Sequence, residues 1–99
     1  MVYQVHYHPL LHKDIQDAVD WYNEQKEKLG NELFYAIQAQ IKKVIDNPFA
    51  FSIIYAKNRH ILVPKFPYAI HYTVNKQTKT IIIKAVFHTS RDPKIWEER

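Results

Sequence analysis

Two runs near the end of the chain decide how it folds: Tyr68-Ala69-Ile70-His71-Tyr72-Thr73-Val74 and Thr80-Ile81-Ile82-Ile83-Lys84-Ala85-Val86-Phe87-His88, separated by Asn75-Lys76-Gln77-Thr78-Lys79. β-Branched and aromatic residues dominate both runs, and the residues between them are turn formers. The link is too short for a crossover, so the runs pair antiparallel. Alternation predicts their faces. Tyr68, Ile70, Tyr72 and Val74 form a core face in the first run, and Ile81, Ile83, Ala85 and Phe87 in the second. The opposite face then carries Ala69, His71 and Thr73 beside Ile82, Lys84, Val86 and His88.

Working outward, Ile61-Leu62-Val63 and Ile53-Ile54-Tyr55 are further β-type runs, divided by Lys57-Asn58 and by Pro64 to Pro67. Short links of this kind give a meander. Val2 to His8 reads as a strand closed by Pro9. Between it and the meander the period changes to that of a helix. Leu11, Ile15, Ala18/Val19 and Tyr22 recur at helical spacing, with Asp14 and Asp17 early and Lys26 and Lys28 late, as the macrodipole favours. Gly30 is expected to end this helix in the left-handed conformation, and Asn31 to cap a second helix. The second stripe is Leu33/Phe34, Ile37, Ile41 and Val44/Ile45, ending at Asn47-Pro48. Asp92-Pro93 has the form of an N-cap and first helical residue for a terminal turn that carries Ile95 and Trp96 against the core. The expected architecture is α+β in one domain over residues 1–99. Its order is β-α-α-β-β-β, with an N-terminal helical hairpin packed on one face of a small twisted antiparallel sheet and a short C-terminal helical turn.

Composition limits the function classes. A chain of 99 residues, 46% hydrophobic, with 7 Tyr, 5 Phe, 2 Trp and 1 Gly, is that of a folded domain. With 0 Cys there is no disulfide framework, thiol chemistry or cysteine-based zinc site. No apolar run approaches the ~20 residues that span a bilayer, and no secretory core follows Met1, so a cytoplasmic protein without membrane association is expected. The formal charge of +4 is unevenly spread. Residues 1–50 hold 5 Lys and 7 acids, net −2, whereas residues 51–99 hold 9 Lys/Arg and 3 acids, net +6. Asn47 through Arg91 contains no acid, so a surface built from it attracts anions.

A single glycine excludes a Gly-rich phosphate loop, and Ser52 and Ser90 lack a nucleophile-elbow context. The histidines, among them His6, His8 and His12, have no carboxylate at ligand spacing, so neither a metal nor a cofactor is expected. Arg59, Lys65, Tyr68, Lys84, His88 and Arg91 lie on strands or strand ends of one small sheet and could converge. Cleavage of RNA by its 2′-hydroxyl needs a base, an acid and cations for the developing phosphate charge, roles that His, Tyr, Lys and Arg fill without metal. The same groups also suit passive binding of RNA or of an acidic peptide. Two explanations fit the mixed sheet face: a part-time partner, or a terminal segment folded over it.

The element order, Asn47-Pro48, Phe66-Pro67-Tyr68-Ala69-Ile70-His71-Tyr72 with Arg59 upstream, and Ala85-Val86-Phe87-His88-Thr89-Ser90-Arg91-Asp92-Pro93-Lys94-Ile95-Trp96 together resemble the RelE/ParE superfamily of type II toxin–antitoxin toxins, over almost the whole chain. The resemblance implies a basic bacterial protein of the plasmid-stabilisation type that blocks growth when free. A cognate antitoxin, acidic and partly disordered, would neutralise it in a toxin–antitoxin hetero-oligomer. RelE-like members cut messenger RNA on the ribosome and ParE-like members poison DNA gyrase. His88-x-x-Arg91-Asp92 looks more like the ParE side, and no tyrosine follows Arg91, as one does in several RelE-like enzymes. The catalytic set implied for an endoribonuclease is Arg59, Lys65, Tyr68, His88 and Arg91. The face implied for the antitoxin or another anion is Arg59, His71, Ile82, Lys84, Val86, His88 and Arg91. An inactive toxin fold that only binds is the remaining alternative.

Overall fold

The computed structural model describes residues 2–99, apart from the side chains of residues 97 and 98. β1 (Gln4–Tyr7) leads into α1 (Leu11–Gln25) and α2 (Leu29–Asp46), followed by β2 (Ile53–Tyr55), β3 (Asn58–Leu62), β4 (Tyr68–Asn75) and β5 (Thr80–His88). A 3-10 helix, Pro93–Glu98, ends the chain. The sheet order is β1-β5-β4-β3-β2. β2 to β5 form the antiparallel meander, whereas β1 lies parallel to β5, because the helical hairpin between them carries the chain back over one face before the sheet resumes. The helices bury Leu11, Ala18, Leu33, Ile37 and Val44 against Ile61, Ile70, Tyr72, Ile81, Ile83 and Val86. Each fully buried side chain of this size contributes roughly 1.5–3 kcal/mol. Among the described residues no helix is long and apolar enough to cross a membrane.

The helical hairpin turns differently from its sequence pattern. Gly30 does not end α1; it lies in the first turn of α2, and Lys28 takes the left-handed conformation at φ 68°. What requires glycine at position 30 is close approach: a Cβ there would overlap the Val19 carbonyl oxygen and the Asn23 side chain. The Gly30 N–H donates to Asn23 Oδ1 at 2.7 Å, satisfying one of the free amides of the helix start. Asn31 is therefore not the cap; its Oδ1 accepts a 3.4 Å bond from Asn23 Nδ2.

β5 departs from simple alternation as well. Its register against β4 runs Tyr72↔Ile83 and then His71↔Ala85, leaving Lys84 as an extra residue in a β-bulge. One inserted residue flips every later side chain to the other face. Val86, expected on the open face, is instead 4% exposed within the helix-covered core. Ala85 and Phe87, expected in that core, turn to the open face opposite His71 and Ala69.

The terminal segment folds over this open face. Asp92 Oδ1 accepts from Lys94 N at 2.9 Å and caps the 3-10 helix, as its sequence foretold. Trp96 then lies on the open face rather than in the helix-side core, with ring centroids 5.1 Å from His71 and 6.5 Å from Tyr55.

Candidate functional site

Tyr68 opens β4 and His88 closes β5, and the hairpin register sets them side by side with ring centroids 5.3 Å apart. Alternation keeps Tyr68 on the helix side of β4, and the bulge in β5 brings His88 to the same side. There α1 and the hairpin end enclose a cleft of about 290 Å³ lined by Asp14, Asp17, Trp21, Tyr68, His88 and Arg91. The turn after β5 is fixed by Thr89 N–H donating to Pro67 O at 2.8 Å and Arg91 N–H donating to His88 O at 3.0 Å, which holds the Arg91 backbone at the cleft mouth.

The His88 ring is oriented by its own turn. Ser90 N–H donates to Nδ1 at 3.0 Å, and Ser90 Oγ lies 2.7 Å from the same atom. An amide can only donate, so in the neutral ring the proton sits on Nε2. Burial, aided by Tyr22, raises the Tyr68 phenol above its ordinary range against the opposing pull of Arg91, so its O–H stays a donor at neutral pH.

Charge in the cleft is decided by pairing. Asp14 takes two bonds of 2.7 Å from the Arg99 guanidinium, and Asp17 is paired with Lys13 at 2.9 Å. Arg91 has no carboxylate within ion-pair distance among the described residues. Among the described residues the uncompensated charge is thus positive, beside a phenol donor and an oriented imidazole. This arrangement can hold an anion and move a proton.

The other sequence-predicted residues lie elsewhere. Arg59 pairs with Tyr72 across β3 and β4, away from Tyr68; its guanidinium donates to Phe51 O at 2.6 Å and Phe49 O at 3.3 Å and lies over the Phe49 ring. It pins the α2–β2 connection, as does the Tyr72 hydroxyl, which donates to Pro48 O at 2.8 Å. Lys65, at φ 70°, lines a separate apolar cavity with Tyr22 and Phe66, one aromatic ring away from Tyr68. His71, Ile82 and Lys84 do share the open face, whereas Val86 does not. Lys84 Nζ donates to Asn58 Oδ1 at 2.9 Å. Sequence reading missed Asp14, Asp17 and Trp21 as cleft walls, and His60 and Arg99. The acids were legible only as helix-start charges, and nothing in the sequence ties Arg99 to Asp14.

A two-helix hairpin on a five-stranded sheet, with a cationic cleft at the end of its last hairpin, defines a class of small basic α+β domains. The chain belongs to the family described as ParE toxin of type II toxin-antitoxin system, parDE, whose pattern matches residues 5–93. No curated protein matches by sequence. Among solved structures, the chain is similar to a chromosomal ParDE system protein from P. aeruginosa (TM-score 0.76, 15% identity, 90% of this chain and 98% of that one). It is also similar to the isolated E. coli RelE toxin (0.66, 15%, 98% and 95%). A third similar structure is the archaeal RelE-RelB complex from Pyrococcus horikoshii OT3 (0.60, 17%, 93% and 100%). At these identities the likeness is one of fold.

Proposed function

We propose that the whole chain acts as one cytoplasmic toxin domain, inhibiting growth when free and silenced by a cognate acidic, partly disordered antitoxin in a hetero-oligomer, with ParE-like action on DNA gyrase. The observation that carries the anion-directed part of this reading is Arg91, without a carboxylate partner among the described residues, beside Tyr68 and the oriented His88. The part of the open face that the terminal segment leaves exposed suits the antitoxin: Ile82 is 39% exposed there, and β2 to β5 contain no acidic residue. The lean toward gyrase rests on two features. The chain has the His88-x-x-Arg91-Asp92 ending, and Arg59, which the ribonuclease set requires, is held by two backbone carbonyls away from the cleft.

A ribosome-dependent, metal-independent endoribonuclease is the second reading. It is favoured by the meeting of donor, base and cation in Tyr68, His88 and Arg91. Inducing the chain without its antitoxin separates the two. Broken DNA with intact transcripts is expected for gyrase poisoning, whereas transcripts cut near codon boundaries and rescued by Arg91→Ala would establish the ribonuclease.

A further inference from the structure

Asp14 lines the Arg91 cleft and also the cavity next to it, a space of about 310 Å³ walled by Arg91 and Arg99 as well. Its carboxylate is nonetheless closed to Arg91. Oδ1 accepts from Arg99 at 2.7 Å, and Oδ2 accepts from Arg99 at 2.7 Å and from the Val86 amide at 3.2 Å. Arg99 reaches it around the β5 edge: the same guanidinium lies over the Phe87 ring, 5.3 Å from its centroid, and donates to Lys84 O at 3.0 Å. Those two contacts are to neutral groups. Among the described residues, the one charge that Arg99 answers is that of Asp14.

The second carboxylate of the cleft is held differently. Asp17 pairs with Lys13 at 2.9 Å, with both side chains more than half exposed, so water and salt screen that pair. Asp14 and Arg99 are poorly solvated, and a carboxylate left alone there acts across the cleft at full strength. Without Arg99, Asp14 would draw on Arg91, which has no carboxylate partner among the described residues, and would repel an incoming anion.

On the reading of the Arg91 cleft as the anion site, we propose that Arg99 is its positioning residue: by occupying both oxygens of Asp14, it keeps Arg91 free to take the anion. Arg99 acts through Asp14 and sets the charge of the cleft from the far side of the β5 edge.

Titration of the purified full chain with inorganic phosphate, followed by the NMR shifts of the His88, Ser90 and Arg91 amides, tests it. The native chain should saturate, and Arg91→Ala should lose the response. Arg99→Met keeps an apolar stem over Phe87 and should weaken phosphate about five- to tenfold. Asp14→Asn keeps an acceptor for the Val86 amide and leaves Arg99 uncompensated, so it should bind phosphate more tightly than the native chain. The double variant Asp14→Asn/Arg99→Met should return to within about twofold of the native value, a rescue that a merely structural role of Arg99 does not give. Circular dichroism checks that each variant is folded. If the native chain does not saturate, or Arg91→Ala binds as it does, the cleft is not the anion site and the role of Arg99 falls with that reading. If the native chain binds through Arg91 but folded Arg99→Met binds equally well, or the double variant stays as weak as Arg99→Met, the role of Arg99 alone is overturned. If Arg99→Met does not fold, Asp14→Asn decides: tighter binding upholds the role, and equal or weaker binding overturns it.

Discussion

Asp14 and Arg99, 85 positions apart, form a bidentate ion pair with both N–O distances at 2.7 Å, at the point where β1 stops covering the edge of β5. β1 makes its last bond when His8 N–H donates to Ile83 O at 2.9 Å. Beyond it the β5 edge would be open. Val86 N–H donates instead to Asp14 Oδ2 at 3.2 Å, and Lys84 O accepts from Arg99 at 3.0 Å. The pair therefore continues the ladder with side chains and ties the terminal segment to α1. Its side chains are only 12% and 14% exposed. Removing one partner leaves a poorly solvated charge, a larger loss than that of a surface pair. Arg99→Ala should lower stability by about 2–4 kcal/mol in denaturant unfolding, and Asp14→Ala at least as much, because the Val86 amide also loses its acceptor. A loss below about 0.5 kcal/mol for both would show the pair to be solvated.

Gly30→Ala is a second test, because two principles oppose each other there. Helix propensity favours alanine by about 1 kcal/mol. The overlap with the Val19 carbonyl acts against it, and because the obstacle is backbone, α1 and α2 must separate. We expect net destabilisation of about 2 kcal/mol or more by thermal or denaturant unfolding. A stabilised variant would mean the helices are further apart than described.

The bulge at Lys84 is tested by its removal. Deleting Lys84 restores strict alternation, driving Val86 to the open face and Phe87 toward the helices. The variant should fail to fold or lose most of its stability by circular dichroism. Phe87→Ala in the native register should cost ~3–5 kcal/mol, because Phe87 is 7% exposed beneath the Arg99 guanidinium.

Acid should weaken the fold through His71. Its folded pKa is lowered by burial, then by His60 and Lys84, to about 4, below the ordinary value of 6.5. A base with a depressed folded pKa binds its proton more readily when unfolded. Its neutral form therefore favours folding fully above pH 6.5, and stability falls as pH drops from 6.5 toward 4. His60 adds to this in the same direction. Unfolding measured between pH 7 and 4 should show a shallower decline in His71→Phe than in the native chain; equal slopes would place the imidazole in solvent.

The helical hairpin, the meander and the capped terminal turn were legible in the sequence because each depends on local signals: Leu11 to Tyr22 at helical spacing, the Pro64 to Pro67 break, Asp92-Pro93. The faces of β5 were legible only up to Ile83. A bulge depends on register against β4, which no local pattern in Lys84-Ala85-Val86-Phe87 encodes. Gly30 was recognised as special for the wrong reason, since close approach and a left-handed turn both call for the same residue. Of the proposed catalytic group, Tyr68, His88 and Arg91 come together because they end adjacent strands. Arg59 does not, because its alternation directs it toward the α2–β2 connection, where Phe49 and Phe51 carbonyls hold it.

Viable counts after induction of the chain in a bacterial host without antitoxin test the central claim most directly, with Arg91→Ala and His88→Ala induced in parallel. The native chain should arrest growth, each variant should relieve the arrest while accumulating as folded protein, and co-expression of the cognate antitoxin should restore growth. Normal growth of cells that accumulate the folded native chain would contradict the account.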